Sequence, residues 1–193
     1  MNRIIYLRSF FKSHFPFGKL FMLIALLAMM MSACTDKHEK LTSEIKELEE
    51  KVKGQMMVDK VDGGKLLKKY IEFADAFPED TLTPFVLYNG ARVAMSIDDP
   101  GQSVVLLERL INSYPDNKIT PEAYVLLGFV YETVYEDFDK AKYWYESFLK
   151  DFPNHFLWED VNATLGFLGK SPDELVAEFL KEMEEEEIQE NEN

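Results

Sequence analysis

The sequence predicts an all-α protein: a short α-solenoid of antiparallel helix pairs, ending in a C-terminal capping helix. Three observations predict it. An aromatic-proline step recurs in "FADAFPED", "LINSYPDN" and "FLKDFPNH", which sets Pro78, Pro115 and Pro153 at intervals of 37 and 38 residues. A threonine-proline step recurs in "LTPFVLYNGA" and "ITPEAYVLLG", with Pro84 and Pro121 again 37 apart. Between these marks the apolar and small residues keep a helical period. Self-similarity at a fixed period of this size marks supersecondary units that bury their apolar faces against neighbours.

The chain opens differently. Arg3, Arg8, Lys12 and Lys19 precede an unbroken apolar run, Leu20 to Met31, and no acid occurs before Asp36. A basic stretch, a short apolar stretch and small residues at its end predict a secretory signal over residues 1–33. Twelve helical residues reach only about 18 Å, short of the roughly 30 Å hydrocarbon core, so a permanent membrane span is not expected. The run ends in "MSAC", which resembles a bacterial lipobox. That resemblance implies a diacylglyceryl thioether on Cys34, cleavage before it, and a further acyl chain on its amine. Two or more chains hold a protein stably where one does not, at ~0.8 kcal/mol per buried methylene. The residues leave a second reading open, a secreted soluble protein with an incidental thiol. Residues 34–41 then form a tether.

Cys34 is the only cysteine, so no intramolecular disulfide can form and stability must come from packing. Removing residues 1–33 takes four of the 21 Lys and Arg and none of the 35 Asp and Glu. The remaining 17 against 35 give a formal charge of −18. Such a surface argues against nucleic acid and against electrostatic adhesion to anionic lipid.

The helical domain is expected over residues 42–181. In the first repeat, about 42–80, Ile45, Leu48 and Val52 supply one helix and Leu66, Tyr70 and Phe73 the other. The segment between, "GQMMVDKVDGG", reads as a long loop, with "VDGG" as a turn before a helix. In the second, 84–117, Thr83 reads as an N-cap with Pro84 at N1. Leu87, Gly90, Ala91 and Ala94 face inward, opposite Ser103, Leu107 and Leu110. The third, 121–155, repeats the pattern with Thr120 and Pro121. Tyr124, Leu127, Gly128 and Tyr131 face Ala141, Tyr145 and Phe148, and the turn around "VYEDFDK" carries one extra residue. Small residues at 91, 128 and 141 sit where helices must approach closely. A partial repeat, 155–168, places Leu165 and Gly166 at the paired positions. Ser171, Pro172 and Glu174 form a capping-box pattern that starts a helix over 172–181, whose apolar residues would cover the last repeat. Residues 182–193, "EMEEEEIQENEN", are charged enough to read as a disordered acidic tail.

Tyr124-x2-Leu127-Gly128-x2-Tyr131, then Ala141-x3-Tyr145, then Pro153, closely resembles the tetratricopeptide repeat signature. The second repeat matches with weaker types, Ala94 for the aromatic and Ser103 for the alanine. In repeat style the chain resembles tetratricopeptide proteins of outer-membrane barrel assembly and of Tol–Pal coordination. The resemblance implies that the first helix of each pair lines a concave face where protein partners bind. By position this face carries Phe85, Tyr88 and Arg92, then Glu122, Val125, Phe129 and Glu132. Packing against the neighbouring repeat is the competing role for each of these residues. Tyr143, Trp144 and Trp158 read as inter-repeat packing.

No motif carries reaction chemistry. His14 falls in the signal, His38 in the tether, and His155 reads as a surface residue at a helix start. No metal-ligand spacing, phosphate loop or nucleophile triad can be assembled, so no enzyme, metal or cofactor is expected. The expected function is a non-enzymatic, membrane-anchored scaffold for protein partners in a bacterial cell envelope, serving outer-membrane protein assembly or envelope and division coordination. Thr35, rather than aspartate, after Cys34 favours the outer membrane. The alternative is a surface lipoprotein that captures a small ligand or glycan.

Overall fold

A computed structural model describes residues 17–55 and 57–191, excepting the side chains of 17–34, 182 and 184–191. Among the described residues every regular element is an α-helix. In chain order these are α1 (Phe17–Lys53), α2 (Lys60–Ala76), α3 (Thr83–Ser96), α4 (Pro100–Ser113), α5 (Thr120–Thr133), α6 (Phe138–Asp151), α7 (Trp158–Phe167) and α8 (Pro172–Asn191). The chain divides into two compact units, Met1–Glu47 and Leu48–Asn193.

The first unit holds most of α1. The predicted signal lies partly outside the described residues: 1–16 are not described, and Leu20 to Cys34 are described as helical backbone only. The expected tether is also helical, within Phe17–Lys53. Among the described residues no helix is long and apolar enough to cross a membrane.

In the second unit consecutive helices from α2 to α7 pack pairwise, each against the next, as a solenoid-like stack of helix pairs. One joint recurs after each aromatic-proline step. Phe77, Tyr114 and Phe152 end α2, α4 and α6, each backbone N–H bonding the carbonyl four residues back. Two residues after each proline, a side chain accepts the N–H of the residue two further on. Asp80 accepts from Leu82, Asn117 from Ile119, and the ring Nδ1 of His155 from Leu157, at 2.8, 3.1 and 3.3 Å. This local turn starts the next helix one residue earlier than predicted. Thr83 and Thr120 are therefore not N-caps; Leu82 and Ile119 occupy those positions without a side-chain cap. Both threonines are turned inward and fully buried. Their hydroxyls donate to the carbonyls of Phe77 and Tyr114, at 2.5 and 2.6 Å, a second bond to acceptors at the end of the preceding helix that also take the N–H of Asp80 and Asn117. Trp158 replaces the threonine in the third joint and donates its indole N–H to Leu149 O at 3.1 Å.

The joints inside the pairs also repeat. Asp98 and Glu136 adopt left-handed backbone, φ 66° and 52°. Asp99 and Asp137 then cap α4 and α6 by accepting the N–H of Gln102 and Lys140. Asp99 N–H returns to Ala94 O, but Asp137 N–H returns to Tyr131 O, one residue further, which places the extra residue in this turn.

The entry to α2 departs from expectation. Asp59 caps this helix, and Val61 to Gly64 form its first turn instead of a loop. A Cβ at Gly63 would lie 2.4 Å from Ile97 Cγ2 and 2.8 Å from Val58 Cγ1. That glycine serves close approach at the end of α3, not a bend.

The predicted inward residues form the core. Leu66, Phe73, Leu87, Ala91, Ala94, Leu107, Leu110, Leu127, Ala141 and Phe148 are all 2% exposed or less. A Cβ on Gly128 would lie 2.4 Å from the Tyr145 ring, so only glycine lets α5 meet α6 there. Gly166 was expected to play this part in α7, but nothing lies within 4 Å of it, because no second helix packs opposite. Helix α8 forms with its capping box, Glu174 accepting from Ser171 N–H at 2.8 Å. It does not seal the stack: Val176, Phe179 and Leu180 are 58%, 60% and 54% exposed. Leu165 and Leu168 pack against the α6 cluster instead. The helix also continues to Asn191, through the predicted disordered tail, a stretch rich in Glu, which favours helix.

Candidate partner-binding groove

Helix α5 carries two stripes. Tyr124, Leu127, Gly128 and Tyr131 face α6, while Glu122, Val125, Leu126, Phe129, Glu132 and Thr133 run along another side with the same period. Those six residues line one wall of a groove of about 480 Å³. Tyr88 of α3, Tyr145 of α6, and Leu157, Asp160, Val161 and Thr164 of the α7 region complete it. Five of the seven predicted face residues thus come together: Tyr88, Glu122, Val125, Phe129 and Glu132.

Burial and hydrogen bonding set the character of the floor. Tyr145 Oη donates to Glu132 Oε2 at 2.7 Å. Burial first, and the Glu132 carboxylate second, hold this phenol well above its ordinary pKa, so it remains a neutral donor. Glu122 Oε2 is buried without a hydrogen-bond partner. Its Oε1 stands 3.9 Å from His155 Nε2, too far for a direct hydrogen bond. His155 is therefore not a simple surface residue: its side chain is 16% exposed, and its ring meets Phe148 edge to face at 5.4 Å. Phe129 stands at the rim, 46% exposed.

The remaining two predicted residues lie elsewhere. Arg92 sits over the Tyr88 ring at 6.0 Å and lines a second groove of about 590 Å³ among α1, α2 and α3. There Tyr70 Oη donates to Glu49 Oε1 at 2.6 Å, repeating the arrangement of Tyr145 and Glu132. The middle repeat has Leu107 and Met95 at the matching positions, so among the described residues this polar pair occurs at the two grooves and not between them. Phe85 lines neither groove; it is half-buried, with Lys118 Nζ 5.2 Å above its ring. It lies one turn nearer the start of α3, level with the joint that carries Lys118.

Sequence reasoning missed the α7 wall and the floor. Leu157, Asp160, Val161 and Thr164 keep a helical spacing that signals a shared face, but which side it faces depends on how α7 packs. Tyr145 was assigned to the core, and it serves core and groove together. Trp144 packs on Tyr124 at 5.7 Å, inside its own repeat rather than between repeats as predicted, and Tyr143 is 60% exposed. Among the described residues no group of three or more His, Cys, Asp or Glu could hold a metal ion.

Fold and groove together define an all-α, solenoid-like protein of stacked helix pairs with an apolar, acid-bearing groove. No known family model matches the chain, and no curated protein is significantly similar to it.

Proposed function

We propose that this protein is a non-enzymatic adaptor: a tetratricopeptide-type module, lipid-anchored through Cys34, that holds protein partners in a bacterial cell envelope, on the outer membrane. The groove carries this reading. It is open, lined by apolar and aromatic side chains, and offered by first helices whose other faces are already spent on the core. Aromatic residues with a few polar groups are the types that anchor protein interfaces. Outer-membrane protein assembly and envelope or division coordination are the processes such an adaptor would serve.

A photo-crosslinking amino acid at Phe129, in intact cells, tests the partner. A discrete protein adduct is expected, and it should be lost when Tyr88→Ala is added. Radiolabelled palmitate should enter the parent and not Cys34→Ala. No adduct at Phe129 refutes the adaptor role, and unlabelled parent refutes the anchor. A groove near 480 Å³ is also of the size that small ligands fill, which supports capture of a small ligand or glycan as the second reading. Tight binding on a glycan panel without a protein adduct would favour it.

A further inference from the structure

The lining of the α3–α5–α7 groove combines two properties. Tyr88, Val125, Leu126, Phe129, Leu157 and Val161 make it largely apolar, and its charged members, Glu122, Glu132 and Asp160, are all acids. No Lys or Arg lines it. Glu132 receives a neutral phenol, and Glu122 has one buried oxygen without a partner and the other 3.9 Å from His155 Nε2, beyond hydrogen-bond reach. Arg92, one turn on from Tyr88, lines the other groove instead.

Carboxylates beside apolar walls interact with a cation more strongly than carboxylates in open water. Lys and Arg bring a charged head on an apolar stem, so they suit both parts of such a lining. Arg adds a planar fork matched to carboxylates and a face that stacks on aromatic rings such as Phe129. We infer that the groove takes a segment of a partner protein in which Lys or Arg side chains stand beside apolar ones. This inference rests on the adaptor reading and adds the chemistry of the partner. The chain's own α8 is a poor occupant despite its exposed Val176, Phe179 and Leu180, because its run of glutamates would meet the groove acids.

The whole protein is acidic and will attract any cation over distance, so the test must separate general attraction from the groove. Three synthetic peptides of equal length serve as probes: one of Leu and Lys in amphipathic order, one of Leu and Glu in the same order, and one of Ser and Lys. Fluorescence anisotropy with the full chain in detergent, at physiological salt, should give saturable binding of the Leu/Lys peptide. The Ser/Lys peptide should bind at least tenfold more weakly and the Leu/Glu peptide not at all. Glu122→Gln with Glu132→Gln should weaken the Leu/Lys peptide at least about tenfold, the loss expected for one charge-assisted hydrogen bond. Glu79→Gln with Asp116→Asn removes the same charge from exposed turns and should change affinity less than about twofold. Asp160→Asn and Phe129→Ala, both at exposed side chains, make the same comparison if the glutamine pair unfolds. Equal losses in the groove and turn variants overturn the inference, as does equal binding of the three peptides or no binding of the Leu/Lys peptide. A cellular adduct at Phe129 that survives Glu122→Gln with Glu132→Gln overturns the charge rule and leaves the adaptor role standing. Absence of any adduct removes the role itself.

Discussion

Replacing Gly128 by alanine puts a methyl group where α5 and α6 come closest. The added Cβ would stand 2.4 Å from Tyr145 Cε1 and 2.6 Å from Cδ1, well inside contact distance. Two effects oppose each other. Alanine in a helix interior is favoured over glycine by about 1 kcal/mol. Against this, the ring must move or the helices must part, and overpacking a filled core costs about 1–3 kcal/mol. The ring is also held at its far end, where Oη donates to Glu132 at 2.7 Å. Moving it forfeits a hydrogen bond to a charged acceptor, about 1.5–3 kcal/mol. The steric and hydrogen-bond losses exceed the propensity gain, and the net is a destabilisation of about 2–4 kcal/mol. Urea unfolding followed by far-UV circular dichroism measures it. Gly64→Ala is the control, since nothing lies within 4 Å of that position, and it should gain up to about 1 kcal/mol. Tyr145→Leu should recover part of the loss in a Gly128→Ala background, because the middle repeat has Ala91 and Leu107 at the matching positions. If Gly128→Ala stabilises the protein as Gly64→Ala does, the close approach of α5 and α6 is wrong.

Ser103 is fully buried, and its hydroxyl has no hydrogen-bond partner. Ser103→Ala restores the alanine of the repeat signature and should stabilise by about 1 kcal/mol, raising Tm by about 2–4 °C; an unchanged or lower Tm in calorimetry counts against it. Thr83→Val and Thr120→Val keep shape but remove one of the two hydrogen bonds to the carbonyls of Phe77 and Tyr114, which still accept the N–H of Asp80 and Asn117, and each should cost about 1 kcal/mol in urea unfolding. Losses below about 0.5 kcal/mol in both would mean that these hydroxyls do not tie the joints. The phenols of Tyr70 and Tyr145 are raised by burial first and then by Glu49 and Glu132, so the folded state holds their protons beyond the ordinary 10.0. Their stabilisation is complete below that value and declines as pH rises through it. The urea midpoint should therefore fall above pH 10, less steeply in Tyr70→Phe with Tyr145→Phe, and an equal slope in both proteins would contradict these buried phenols.

Much of the fold was legible because it depends on local rules. Proline cannot continue a helix and small residues mark close approach, so helices α3 to α6 and the core residues Leu87, Ala91, Leu107, Leu127, Ala141 and Phe148 followed from spacing. The readings that failed were those in which two chemistries suit the same residue. A threonine before proline can cap its own helix or donate to the one before it; Asp80 and Asn117 decide by starting the helix early. Glycines in "VDGG" suit a turn or a tight contact, and Ile97, more than thirty residues away, selects the contact. The apolar residues of α8 predict a buried face, but burial needs a partner, and Leu165 and Leu168 pack against the α6 cluster instead. Tyr88, Val125, Phe129 and Glu132 could be placed on one face by period, whereas Phe85 and Arg92 could not be separated from them without knowing how α3 lies against its neighbours.

By itself the sequence determined that the domain is helical, where its pairs begin and end, and which residues face inward, because hydrophobic period and turn chemistry act over a few residues. The tertiary structure alone decided that α3, α5 and α7 enclose an acidic, apolar groove floored by Tyr145. Groove walls come from residues far apart in the chain, and their meeting depends on how whole helices pack.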